Sequence, residues 1–238
     1  MLSIRRSHER GHSQHNWLNS FHSFSFAEYY DPRFMGISHL RVLNDDTLEP
    51  KAGFPSHSHQ NMEIISYVLE GALEHKDNMG NISIIQAGEV QCMSAGTSIT
   101  HSEYNPSETE LTRFLQIWIV PREKQLTPSY SQQSYTKEER QGRLCLIASS
   151  NPEQSAVVVH QNIKLFNSLL AENESVEYSI HIGRVLYIHV AKGQVRINGQ
   201  QLAEGDSATV HEGEKQVTIT GIASAADILL FDLQDMEH

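Results

Sequence analysis

The feature that most limits the fold of this chain is a rhythm of short strands and glycine turns. Residues 40–43, 63–70, 72–76, 82–85, 90–93, 99–104 and 111–120 are rich in β-branched, apolar and aromatic side chains. Asp77-Asn78-Met79-Gly80-Asn81 and Ala87-Gly88-Glu89 separate some of them, and Gly71 closes another. Short strands at this spacing predict an antiparallel sandwich or barrel. The rhythm returns at 144–147, 156–159, 185–190, 194–197, 208–210, 216–219 and 228–231. Gly193, Asn198-Gly199 and Glu204-Gly205-Asp206 follow one another as Gly71, Met79-Gly80 and Ala87-Gly88-Glu89 do, which points to an internal duplication. Residues 122–142 are polar and include Pro128. Within them, Thr136-Lys137-Glu138-Glu139 fits the capping box of a short helix that Gly142 ends. The expected organisation is all-β with little helix, in two domains, 1–134 and 143–238.

The 238 residues suffice for a substantial core. The net charge of −11 is spread evenly, with 8 basic and 14 acidic side chains in 1–120 against 10 and 15 in the remainder. Without a basic face, direct nucleic-acid binding is not expected. The first residues lack the apolar run of a signal peptide and no stretch reaches the length of a membrane span, so a cytoplasmic protein is expected. Cys92 and Cys145 form no CxxC pair and sit in apolar runs, which predicts buried, reduced thiols.

Nine of the 14 histidines precede residue 121, so histidine chemistry is expected in the first half. Side chains two apart on a strand share a face. His57 and His59 form one such pair, and His101 and Glu103 another. If their strands meet, three imidazoles and a carboxylate converge. Such a donor set suits Fe(II), Cu(II), Ni(II) or Zn(II) rather than Ca or Mg, and leaves positions open on a six-coordinate ion. Glu63 has the parity of His59, but four residues of strand span roughly 13 Å, too far for one ion. His12 and His15 are expected to face solvent or to be hydrogen-bonded, and His160, His181, His189 and His211 to be surface or satisfied core groups. Phe54, Pro55, Met62 and Trp118 are candidates to line a cavity near the pair.

Gly53…His57-x-His59-x3-Glu63…Gly71 resembles the first cupin motif, and Gly88…Ser94-Ala95-Gly96…His101-x3-Asn105 the second. Seven residues between Glu63 and Gly71, and four between Gly96 and His101, depart from the usual cupin spacing in the manner of the pirin family. Phe24-Ser25-Phe26-Ala27-x-Tyr29-Tyr30-Asp31-Pro32 and Arg41-Val42-Leu43-Asn44-Asp45-Asp46 resemble its bacterial quercetinase-type members. The resemblance implies two tandem cupin (jelly-roll) domains, the first binding metal and the second degenerate and metal-free. It implies one divalent transition metal, usually Fe(II), on His57, His59, His101 and Glu103, with Glu63 not a ligand. It further implies quercetin 2,3-dioxygenase activity, in which O2 opens the central ring of a flavonol and CO is released. Glu103 would take the hydroxyl proton as general base. A monomer with a small aromatic substrate is expected. The alternative carried by the same resemblance is an iron- or redox-sensing regulator that binds a protein partner.

Overall fold

A computed structural model of the chain describes residues 1–151, 156–211, 213–222 and 225–236. They form two compact units. One holds Arg10–Ser134 and Val157–Gln161, and the other Met1–Glu9, Tyr135–Ala156 and Asn162–His238. This differs from a linear division at 134/143 in two places. β1 (Leu2–Arg5) pairs antiparallel with residues 207–210, and Asp206 holds the segment by accepting from Arg6 Nη1 (2.8 Å) and the Ser7 amide (2.7 Å). Residues 157–161 belong with the histidine-rich unit, where the Arg122 amide donates to the His160 carbonyl (2.8 Å).

The histidine-rich unit contains β2 (Gly11–Gln14), β3 (Leu18–His22), β4 (Leu40–Leu48), β5 (Gly53–His59), β6 (Glu63–Glu70) and β7 (Ala72–Asp77). β8 (Ile82–Gln86), β9 (Glu89–Ser94), β10 (Ile99–Tyr104), β11 (Thr112–Ile119) and β12 (Ser129–Ser134) follow. A seven-stranded sheet runs β12-β9-β6-β11-β4-β3-β2, and a four-stranded sheet runs β5-β10-β7-β8. β12 lies in the stretch expected to be connector. It is the outermost strand of its sheet, and its Ser-Tyr-Ser-Gln-Gln-Ser sequence suits an edge that has one neighbour and much exposure.

Residues opposed across an antiparallel pair share a face. Register therefore lays out the inner side of the larger sheet in rows. Ser20, Asp46 and Phe114 make one row. His22, Asn44, Gln116, Ser66 and Gln91 make the next. Val42, Trp118, Ile64 and Met93 make a third. The all-polar middle row runs between two apolar clusters, one built on Leu18, Leu48, Val68, Leu73, Ile85 and Phe114, the other on Ile64, Met93, Ala95 and Ile99. Each buried aliphatic side chain contributes about 1.5–3 kcal/mol, so the clusters fix the sheet and the polar row is carried by it.

The other unit adds α1 (Lys137–Arg140) and β13 (Cys145–Ser149); β14 (Val157–Val158) returns to the histidine-rich unit. β15 (Lys164–Leu170), β16 (Ser175–Ser179), β17 (Arg184–Lys192), β18 (Gln194–Ile197), β19 (Gln200–Ala203), β20 (Ser207–Val210), β21 (Gln216–Gly221) and β22 (Ala226–Gln234) complete it. Its sheets run β1-β20-β17-β22-β15-β13 and β16-β21-β18-β19, around an aliphatic core that includes Leu186, Ile188, Val190, Val195, Ile197 and Leu230. The capping box on α1 forms as expected: Thr136 Oγ1 accepts from the Glu139 amide and Glu139 Oε2 from the Thr136 amide. The duplication is visible in the backbone. Gly71, Gly80 and Gly88 have φ of 70°, 94° and 85°, and Gly193, Gly199 and Gly205 have 76°, 85° and 80°. A Cβ on Gly71 would lie 2.5 Å from the Leu111 carbonyl oxygen, and one on Gly193 2.4 Å from that of Ala225. Among the described residues, no helix is long and apolar enough to cross a membrane.

Candidate metal centre

β5 and β10 pair antiparallel with Ile99 opposite His59 and His101 opposite His57. Odd-numbered residues of both strands therefore share the inner face here, and their imidazoles converge. One ligand nitrogen from each of His57, His59 and His101 lies within 4.8 Å of the others. Among the described residues no other such group of three forms. A register shift follows between His101 and Glu103, so that Glu103 stands opposite Phe54. Gly53 makes this crossing possible, because a Cβ there would sit 2.1 Å from the Glu103 carbonyl oxygen.

Glu103 is buried on the same face, but its carboxylate is not one of that group. Oε1 accepts from Ser66 Oγ (3.0 Å) and Oε2 from Gln116 Nε2 (2.8 Å), both members of the polar row. Burial pushes its pKa up to about 7, against the lowering effect of those two bonds. Sequence reasoning missed Ser66 and Gln116. Their signal was a single polar residue inside each of two apolar strands, Ile-Ile-Ser-Tyr-Val and Leu-Gln-Ile-Trp.

The donor set fits a transition metal. Among the described residues neither ring nitrogen of His101, both buried, has a hydrogen-bond partner, and a cation bound at one of them removes the cost there. His57 Nδ1 lies 2.7 Å from the Pro55 carbonyl oxygen. A carbonyl only accepts, so Nδ1 carries the proton and Nε2 presents its lone pair. Burial, then His57, lowers His59 to about 4, and burial with the neighbouring imidazoles lowers His101 to about 2. Both rings are thus neutral and available as ligands near neutral pH. Beside His101 stands His75 (ring centroids 5.3 Å), whose Nε2 is 3.0 Å from Asp77 Oδ2.

Glu63 is turned to a structural task. It is fully buried and accepts from Ser94 Oγ (2.7 Å) and from the His160 amide (3.2 Å), and its Oε2 lies 3.1 Å from His160 Nδ1. His12 lies on Phe21 (4.4 Å) and its Nε2 is 2.7 Å from Asn19 Oδ1. His15 lines a cavity instead. Cys92 is buried and Cys145 half-buried, and both are free.

That cavity, about 320 Å³, opens beside the histidines and is walled by Trp17, Phe26, Phe54, Pro55 and Trp118. His57, His59, Glu103 and Gln116 form part of its lining. Trp118 stands edge-on to His59 (5.0 Å), and Phe26 edge-on to Trp118 (5.4 Å). Phe54, Pro55 and Trp118 were expected here; Met62 packs instead with the cluster of Ile64, Met93, Ala95 and Ile99. The residues not foreseen include Trp17, Phe26, and the polar group of Ser20, His22, Asn44 and Asp46.

The family model described as Pirin matches residues 3–119, and that described as Quercetinase C-terminal cupin domain matches 146–233. A quercetin 2,3-dioxygenase of Escherichia coli (strain K12) is 46% identical over 233 residues, 98% of this chain and 99% of the relative. A pirin-like protein of Caulobacter vibrioides is 40% identical over 231 residues, 97% and 99% of the two chains. The crystal structure of bacterial pirin YhhW from Escherichia coli in complex with nickel(II) superposes with a TM-score of 0.93 at 44% identity, covering 99% of this chain and all of that one. The tandem-cupin architecture read from the sequence is therefore the fold of this chain.

Proposed function

Because this chain belongs to the pirin family, we propose that it is a metal-dependent dioxygenase that opens the central ring of a flavonol such as quercetin. One O2 is consumed and one CO leaves for each ring opened. His57, His59 and His101 hold a divalent metal, Fe(II) foremost, with Glu103 as fourth ligand and as base. The observation that carries this reading is the convergence of three imidazoles, two of which, His57 and His59, line an aromatic cavity that also contains a buried carboxyl. When bound, the metal supplies a Lewis-acidic and redox-capable centre.

The protein's own groups account for the rest. Trp17, Phe26, Phe54 and Trp118 give a flat aromatic ligand apolar faces and exclude water. Glu103 takes the proton of the flavonol 3-hydroxyl. Ser66 and Gln116 keep its two oxygens oriented through the step. The test is turnover of quercetin under O2 by metal-loaded wild type, by metal-stripped protein and by His59→Ala. Turnover confined to the loaded wild type is expected; undiminished turnover by stripped protein rules the reading out.

A further inference from the structure

β4 places two acidic residues side by side with opposite fates. Asp45 points to the outer face, where Arg113 grips both its oxygens (2.9 Å each) and Arg10 adds a third contact (3.5 Å). Asp46 points inward, is buried to within 2% of full burial, and lines the cavity. Among the described residues no cation pairs with it. Ser20 Oγ donates to its Oδ1, and among the described residues no donor is bonded to its Oδ2. Of its polar neighbours, His22 is committed at both ring nitrogens: Nδ1 lies 2.9 Å from Asn44 Oδ1 and Nε2 2.9 Å from Ser13 Oγ.

A carboxyl out of water without a cation is costly, and its oxygens then need donors. Here one donor is supplied by the protein and the other oxygen is left toward the cavity. Its position is specific. Gln116, which holds Glu103, is opposite Asn44, and Asp46 is two residues further along the same face. That diagonal separates Asp46 from Gln116 by about 7–8 Å at Cα. The cavity thus has two polar points, one at the histidines and Glu103 and one at Asp46, and its lining also includes Trp17, Phe26, Phe54 and Trp118.

We propose that Asp46, clamped by Ser20, is a second recognition point, which accepts a hydrogen bond from a ligand hydroxyl remote from the one that meets Glu103. The site then selects polyhydroxylated aromatics over analogues with a single hydroxyl. A site built around a buried acceptor discriminates strongly, because the analogue lacking the donor strands that acceptor without water. This rests on the flavonol reading above and adds to it which part of the ligand is read.

The chain has two tryptophans, Trp17 and Trp118, and both line the cavity. Their fluorescence therefore reports occupancy without turnover. The experiment titrates metal-loaded full-length protein at about pH 8, where Asp46 is the carboxylate, under anaerobic conditions, with quercetin and with 3-hydroxyflavone, which carries the 3-hydroxyl alone. Wild type, Asp46→Ala, Asp46→Asn and Ser20→Ala are compared. The wild type is expected to prefer quercetin, and Asp46→Ala to reduce that preference by about 10–100-fold. Asp46→Asn, which keeps one acceptor oxygen, and Ser20→Ala, which frees the clamp, should fall between. Equal loss for both ligands, or an unchanged preference in Asp46→Ala, overturns the inference while leaving the flavonol reading in place. Wild type that binds neither compound overturns both.

Discussion

Gln116 shows how far the proposed centre extends beyond its histidines. Its amide donates to Glu103, so Gln116→Ala should loosen the carboxylate and weaken metal binding by about 10–100-fold. Competition against a chelator measures this, and an unchanged affinity contradicts the place given to Glu103. Asp46 makes a different prediction, about stability. Burial first, then Asp45 and Glu103, raises its pKa from 3.8 to about 7, with the Ser20 bond opposing. Between those values the folded protein keeps a proton that the unfolded chain has released. Stability from this group is thus lost as pH rises through the window, and the full cost is present above it. Asp46→Asn should raise the urea midpoint of the metal-free protein at about pH 8, a gain of at most about a few kcal/mol in unfolding free energy, and leave it nearly unchanged at about pH 3.5. A midpoint that falls at the higher pH contradicts the assignment. At this scale the histidines were legible in the sequence because alternation alone puts them on one face. Ser66, Gln116 and Asp46 were not, because what they do depends on which strands become neighbours.

Strand pairing decides the rest. β5 and β10 carry the three imidazoles, and their close approach at Gly53 leaves no room for a Cβ against the Glu103 backbone. Gly53→Ala must push these strands apart. A loss of about 1–3 kcal/mol in urea unfolding, together with loss of bound metal, is expected. Full metal occupancy in this variant contradicts the dependence of the centre on that crossing. The strands with apolar alternation were readable from sequence. β12 and β16 were missed for one reason: each ends its sheet, so nothing forces it to be apolar. β15 was missed because Asn167 and Ser168, both buried, interrupt its apolar run. Asn167 donates to Asp227 Oδ1 (2.6 Å) and to the Ile228 carbonyl (3.0 Å), so tertiary partners satisfy what the local sequence left polar.

Over the whole chain, two copies of one architecture have divided the work. Both keep the glycine turns, while the one cluster of three metal-ligating side chains among the described residues lies in the first. The tandem fold was legible because turn glycines recur at matching intervals. The assignment of β1 to the second unit was not, because it rests on Arg6 and Ser7 meeting Asp206 some 200 residues away. One ion per chain should therefore suffice. At a free-metal concentration about a thousand times its Kd, that ion should stabilise the protein by about 4 kcal/mol. Calorimetry with and without metal checks this, and the gain should vanish in His101→Ala. The most direct test of the central claim is the CO released per quercetin consumed, with metal content measured on the same sample. One CO per quercetin from protein holding one ion per chain, and none after that ion is stripped, is the predicted result. CO release that persists without metal, or quercetin loss without CO from the loaded protein, would contradict it.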